Sequence, residues 1–359
     1  MQICFYFPSL KNNQNNAIFG SMYSSFFKQL ENKGLIVKFT TELAEIEGDI
    51  LVVSIGGGGE PFAAKAMRKF NGPVILSVYN AYLTFNKYFL KRWNSRILFA
   101  YNPDFASLNF EKYKSVGISY YHFPFGSDEQ VFKPLAVAKK YDIAFLGNAN
   151  SGFGREKYIQ KLTQYALSNN LKVFLAGAGW DKFGFPYRIV NHGVETNLIY
   201  NESKVCVNIH NNRQFAGIDK EMDANNRLFD LAMAGCCQIT NGEQVVSRYF
   251  AYNEVITADE PESWIQKIDY YLKHDAERIL LGQKANERAL IEHTWEKRAT
   301  DFVEMLNENY AFFFDRNQKI NYYKAFLRYL DQFLIPRYLF KEIKIVRFLL
   351  KKIGLYNNI

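Results

Sequence analysis

Apolar residues in the first third of the chain fall in short runs separated by amphipathic stretches. Ile3–Phe7, Val37–Thr40, Ile50–Ser54, Val74–Val78, Ile97–Ala100 and Ser119–Phe123 read as strands, with helical stretches such as Ser21–Asn32 and Pro61–Phe70 between them. A turn-rich bridge follows, Phe123-Pro124-Phe125-Gly126-Ser127-Asp128 and then Phe132-Lys133-Pro134. The alternation then restarts. Asp142–Leu146, Val173–Ala176, Val205–Ile209 and Cys237–Thr240 read as strands, and Glu156–Ser168, Asn225–Ala234, Pro261–His274 and Ala276–His293 as helices. Strands that alternate with helices imply mostly parallel sheets covered on both faces, whose ligands bind beyond the carboxyl ends of the strands. The pattern predicts an α/β protein of two domains, residues 1–130 and 131–314, meeting near residues 130–140 across a cleft. A distinct segment, residues 315–359, follows them.

That last segment has a different rhythm. Pro336 should interrupt a helix. Beyond it Leu339, Ile343, Val346, Leu350 and Ile353 recur at spacings of four and three, with Lys341, Lys344, Arg347 and Lys351 on or toward the other face. A basic amphipathic helix of this kind suits an anionic membrane surface, or else packs on its own protein. Charge sharpens the contrast. Residues 315–359 hold ten Lys/Arg and three Asp/Glu, a net +7 of the +8 carried by all 359 residues. The nearly neutral body that remains argues against a nucleic-acid partner, because phosphate contacts dominate such binding.

At 48% apolar the chain can build two cores. It opens on a strand-like run without a basic leader, and no apolar run approaches the roughly 20 residues of a membrane span. Cys4, Cys206, Cys236 and Cys237 lack metal-type spacing and are expected to be reduced core residues. The expected setting is cytoplasmic, with peripheral attachment to the inner membrane face.

The chemistry concentrates in Asn226-Arg227-Leu228-Phe229-Asp230-Leu231-Ala232-Met233-Ala234-Gly235. Asn225 or Asn226 suits an N-cap, and Gly235 a left-handed C-terminal stop. Arg227 and Asp230, three residues apart, share one face. They form either a plain surface pair or a cation at an anion-seeking helix N-terminus with an acceptor one turn deeper.

The order of motifs around this helix carries a resemblance. Asp142-Ile143-Ala144-Phe145-Leu146-Gly147-Asn148 ends a strand, with Arg155 following. Phe174-Leu175-Ala176-Gly177-Ala178-Gly179-Trp180 ends the next, and Val205–His210 a third. His293-Thr294-Trp295 opens the last helix. Over residues 120–305 this resembles the donor-binding half of GT-B glycosyltransferases, of the kind found in glycosyltransferase families 1 and 4. It is most similar to the spore-protein CgeB-like family, and Phe123–Pro134 resembles the linker of that fold. The resemblance implies two Rossmann-like domains and a nucleotide-diphosphate sugar, UDP- or GDP-linked, as donor. It implies Arg227 on the diphosphate with Asn226 beside it. Asp230, one methylene shorter than the usual Glu, falls on the ribose. Gly147 and Asn148 line the diphosphate approach, Arg155 supplies a second cation, and Gly177, Gly179 and Trp180 lie beside the base. His210 is placed either at the sugar phosphate or as a capping or core histidine. The E-x7-E pair of retaining relatives is not intact, since Met222 stands eight residues before Asp230, flanked by Glu221 and Asp223.

Two arginines and a helix N-terminus stabilise a departing diphosphate without a metal, so no metal and no cofactor are expected. On the acceptor side Ser54-Ile55-Gly56-Gly57-Gly58-Gly59-Glu60-Pro61 follows a strand. Gly57 and Gly58 permit close approach, and Glu60 is the candidate catalytic base; the other reading of Glu60 is an acid complementing a helix N-terminus. Tyr79 stands where related enzymes often place His-Asp, and Phe19-Gly20 is expected to form an acceptor-side loop. The leading reading is transfer of a sugar to a cell-envelope glycan, lipid-linked or protein acceptor. A DNA glycosyltransferase and a non-catalytic nucleotide-sugar or glycan-binding protein are the alternatives.

Overall fold

The structure is a computed structural model that describes residues 1–8, 16–55, 65–66, 69–78, 97–102, 119–149, 155–186, 188–210 and 224–309. Two parallel sheets organise these residues, as the alternating pattern predicts.

The first sheet contains β1 (Gln2–Tyr6), β2 (Ile36–Thr40), β3 (Ile50–Ile55), β4 (Val74–Val78), β5 (Ile97–Asn102) and β6 (Ser119–His122), in the order β2-β1-β3-β4-β5-β6. All its pairings are parallel. Helix α1 (Asn16–Asn32) covers β1 and starts earlier than the pattern suggests. Gly20 therefore lies inside a helix and not in the expected loop.

The second sheet contains β7 (Tyr141–Leu146), β8 (Val173–Ala176), β9 (Ser203–Asn208), β10 (Gln238–Thr240) and β11 (Ile256–Thr257), in the order β11-β10-β9-β7-β8. Its pairings are also parallel. Helices α2 (Glu156–Ser168), α3 (Val194–Asn201), α4 (Asn226–Met233), α5 (Glu243–Val246), α6 (Pro261–Lys273) and α7 (Asp275–Glu292) accompany it. The short elements α3, α5 and β11 give no clear periodicity in sequence. Long-range bonds fix α3 instead, such as Asn197 and Asn201 side-chain amides donating to the Lys133 carbonyl at 3.1 and 3.0 Å.

Helix α8 (Trp295–Glu308) closes the described chain. Thr294 caps it by accepting from Lys297 N–H at 3.0 Å. Trp295, Ala299, Phe302 and Met305 form a stripe at spacings of four and three. The expected division placed this helix with the second domain. Its stripe instead enters the core of the first sheet, beside Phe5, Phe26 and Leu30. The ring centroids of Phe26 and Phe302 are 5.8 Å apart, and those of Phe26 and Trp295 5.6 Å. Burying each such ring contributes about 2–3 kcal/mol, which favours the return crossing.

The crossing is tight. Ser127 N–H donates to His293 O at 2.8 Å and Trp295 N–H to Ser127 O at 3.1 Å. A Cβ on Gly126 would sit 2.9 Å from the Trp295 ring, so only glycine admits this approach. Arg298, 4% exposed, donates from Nε to Pro124 O at 3.0 Å. All four cysteines are buried and unpaired. No helix among the described residues is long and apolar enough to cross a membrane.

Candidate functional site

The carboxyl ends of β7, β8 and β9 converge on the N-terminus of α4. Asn225 caps that helix, its side-chain oxygen accepting from Leu228 N–H at 3.2 Å. Asn208, at the end of β9, holds the cap in a reciprocal amide pair with Asn225 at 3.0 and 3.1 Å. The same Asn208 Oδ1 accepts from Arg227 Nη1 at 2.9 Å. At the far end Gly235 adopts φ +67°, the left-handed stop expected from sequence.

Arg227 lies over the Phe145 ring, its Cζ 5.0 Å from the centroid. The Gly147 loop makes room for it: a Cβ on Gly147 would sit 2.5 Å from Arg227 Nη2. Burial lowers the basicity of Arg227, while Tyr200 and Asp230 act to restore it. The neighbouring loop is tied by backbone bonds from Gly147 N–H to Ala176 O and from Ala149 N–H to Ala178 O, both 2.8 Å. Asn148 is exposed, and its Oδ1 accepts from Ala178 N–H at 2.9 Å. Gly177 and Gly179 supply positive φ, +120° and +88°. A Cβ on Gly177 would meet Gly147 O at 2.5 Å.

Trp180 is not beside an open base site. It is fully buried, and its indole N–H donates to Gly147 O at 3.0 Å. The ring is enclosed in the interior, and its N–H holds the Gly147 loop.

Arg155 precedes α2 and is 9% exposed. Its Nη1 reaches Asn148 O at 3.5 Å, and its buried Nε has no hydrogen-bond partner among the described residues. Burial, reinforced by the Arg227 cation, lowers its pKa to about 9. Two guanidiniums thus share a partly desolvated space at a helix N-terminus. An anion with several oxygens relieves both their repulsion and the orphan N–H.

Asp230 sits one turn deeper and is 3% exposed. Its oxygens are taken by Ser127 Oγ at 2.7 Å, His192 Nε2 at 3.0 Å and Asn226 Nδ2 at 3.1 Å. This network occupies a carboxylate that the resemblance assigns to the ribose. Here Asp230 orients His192 and Asn226 and links α4 to the Ser127 crossing. His192, Asn208, Ser127 and Tyr200 escaped sequence reading because each is defined by a partner distant in the chain. An Asn-His-Gly turn before a helix and an Asn closing a strand were the available signals.

His210 is 1% exposed and belongs to the capping structure. Its N–H donates to Asn241 Oδ1 at 2.7 Å, and its Nδ1 accepts from Asn225 N–H at 3.4 Å. These are the contacts of the capping or core reading. Gly57, Gly58, Glu60 and Tyr79 lie outside the described residues, as do Glu221, Met222 and Asp223. Among the described residues no group of three His, Cys, Asp or Glu could hold a metal ion.

Residues 155–304 match the model of the glycosyl transferase-like family, the span containing Arg155, Asp230 and α4. The match is to the family as a whole. No curated protein matches by sequence. Among solved structures, sucrose-phosphate synthase from Thermosynechococcus elongatus is 12% identical with a TM-score of 0.58, over 87% of this chain and all of that one. Anabaena HepE, solved with UDP and glucose, is 10% identical at 0.61, over 86% of this chain and all of that one. The T4 phage β-glucosyltransferase is 14% identical at 0.56, over 85% and 99%. At such identities these likenesses speak for the fold. Together with the family match, they give the chain the GT-B fold, with a glycosyl transferase-like part over residues 155–304.

Proposed function

We propose that this enzyme takes a sugar from a nucleoside-diphosphate donor whose diphosphate lies between Arg155 and Arg227 at the N-terminus of α4. The observation that carries the reading is the paired guanidiniums, one with an orphan buried Nε and a pKa lowered to about 9. Ground-state anion binding and leaving-group stabilisation use the same groups. Charge on the departing diphosphate grows as the glycosidic bond breaks, and the fixed cations and helix N-terminus meet it without reorganising. On this reading no metal is needed for departure. The fold neighbour HepE was solved with UDP, which supports a uridine nucleotide as the first donor to test.

The acceptor is proposed to be a cell-envelope glycan, lipid-linked or protein substrate at the inner membrane face. This rests on the basic segment 315–359, whose pattern suits an anionic surface. Glu60 is the proposed base. A DNA acceptor is disfavoured by the nearly neutral body of residues 1–314.

The test is turnover of a panel of UDP- and GDP-sugars, with and without EDTA, by the full chain and by Arg227→Ala. The reading expects donor hydrolysis or transfer that survives EDTA and is lost in the variant. Equal turnover by both proteins would overturn it. Donor binding without turnover for any acceptor would favour a non-catalytic nucleotide-sugar-binding role instead.

A further inference from the structure

A cavity of about 520 Å³ opens at the opposite end of the second sheet from the donor site. It lies below the amino ends of β7, β9 and β10, bordered by Lys139, Lys204 and Cys237, while Gly147 and Asn208 mark the carboxyl ends. Its lining holds three cations, Lys139, Lys204 and Arg278, against one acid, Glu287.

Lys204 and Arg278 are held by partners outside the lining, and Lys139 by Asn201 within it. Lys204 Nζ pairs with Asp142 at 2.8 Å, and Arg278 Nη1 pairs with Asp275 at 2.6 Å and donates to Tyr271 O at 3.0 Å. Lys139 Nζ donates to Asn201 O at 2.7 Å. Asp142 and Asp275 do not line the space, so the lining presents a net positive face. Arg278 is 6% exposed, which fixes its fork and weakens solvent screening around it. An ammonium has three donors and a guanidinium five, so the bonds described leave donors on all three groups. Asn286 adds an amide to the lining, anchored to Met233 O at 2.6 Å. The apolar rim residue Ile279 is 55% exposed.

We propose that this cavity is a second ligand site, separate from the donor site, that binds a phosphate monoester of small-metabolite size. The converging cations and amide take the phosphate oxygens, and Ile279 meets the carbon skeleton.

The test uses the full chain carrying Arg227→Ala, so that anions entering the donor site do not contribute. Glucose 6-phosphate serves as the soluble probe and phosphatidic-acid vesicles as the lipid-headgroup probe. Inorganic phosphate serves as the minimal anion. The proposal expects saturable binding of glucose 6-phosphate in the Arg227→Ala protein, weakened at least about tenfold by adding Lys139→Ala and Lys204→Ala. Both lysines are exposed or half-exposed, so the protein should melt normally, and this is checked in parallel. If only the vesicles depend on the two lysines, the phosphate chemistry stands and its source is a lipid headgroup. Loss of all binding in Arg227→Ala alone, or binding indifferent to both lysines, would overturn the second site.

Discussion

Arg155 and Arg227 are like charges that share one partly desolvated space, and neither forms an ion pair among the described residues. Arg155 is held at a pKa of about 9 by burial and by the Arg227 cation. The arrangement is unfavourable for the empty protein and favourable for an anionic ligand. Replacing Arg155 with Met should therefore leave the empty protein's Tm unchanged or raised, because a buried, poorly paired cation is removed. The same change should weaken UDP binding by about tenfold or more. Thermal melting with and without UDP checks both halves, and a large drop in the unliganded Tm would contradict the assignment.

The sign of the pH effect follows from the same pair. Arg155 has a lowered folded pKa, so above pH 9 the unfolded state holds more protons than the folded one. Its contribution to stability rises with pH through the interval from about 9 toward 12.5. Below pH 9 its destabilising effect is fully present. Arg155→Met should remove this alkaline term in urea melts at pH 8 and pH 10.

His293 supplies an acid-side term at the crossing between the two sheets. Its Nε2–H donates to Tyr249 O at 3.1 Å, and its Nδ1 accepts from Arg298 at 3.0 Å, which fixes the neutral ring. Burial, with the Arg298 cation, lowers its pKa to about 4. The stability this contributes is present above pH 6.5 and is lost as pH falls toward 4, because the unfolded state protonates first. The limit is on the order of 3 kcal/mol for a shift of this size. Urea melts from pH 7 to pH 4.5 should show a loss that His293→Gln flattens.

Gly147 and Gly177 should respond differently to alanine. At Gly147 the added Cβ meets the tip of the Arg227 side chain, which can move. Gly147→Ala should fold within about 1 kcal/mol of the native protein while its UDP affinity falls about tenfold. At Gly177 the Cβ meets Gly147 backbone at 2.5 Å, and φ is +120°. Gly177→Ala should lose about 2 kcal/mol or more. Paired stability and binding curves separate the two effects.

Removal of residues 315–359 takes away +7 of charge. If the segment meets a membrane, the truncated protein should stop co-sedimenting with anionic vesicles at physiological salt. Unchanged co-sedimentation would contradict the membrane reading.

The sequence displays the parts of this fold that depend on local pattern. Strand runs, the Asn225 cap and the Gly235 stop all obey near-neighbour physics, and each is found where the pattern puts it. Partner identity is less visible. The stripe on α8 announces a buried face but not whose core receives it, and it enters the first sheet. Trp180 follows a glycine turn at a strand end, a position equally compatible with a ligand and with the interior; its indole bond to Gly147 decides for the interior. Asp230 was legible as an acceptor on the Arg227 face. That Ser127 and His192 occupy it depends on contacts 103 and 38 residues away.

The central claim is that Arg227, positioned by Asn208 and Phe145, holds with Arg155 the diphosphate of a nucleotide donor. Isothermal titration of UDP into the native protein, Arg227→Lys and Arg227→Ala tests it most directly. Saturable binding to the native protein is predicted, with losses of at least about tenfold in Arg227→Ala and only partial rescue by Lys, whose point charge lacks the planar fork. Equal affinity in all three proteins would contradict it.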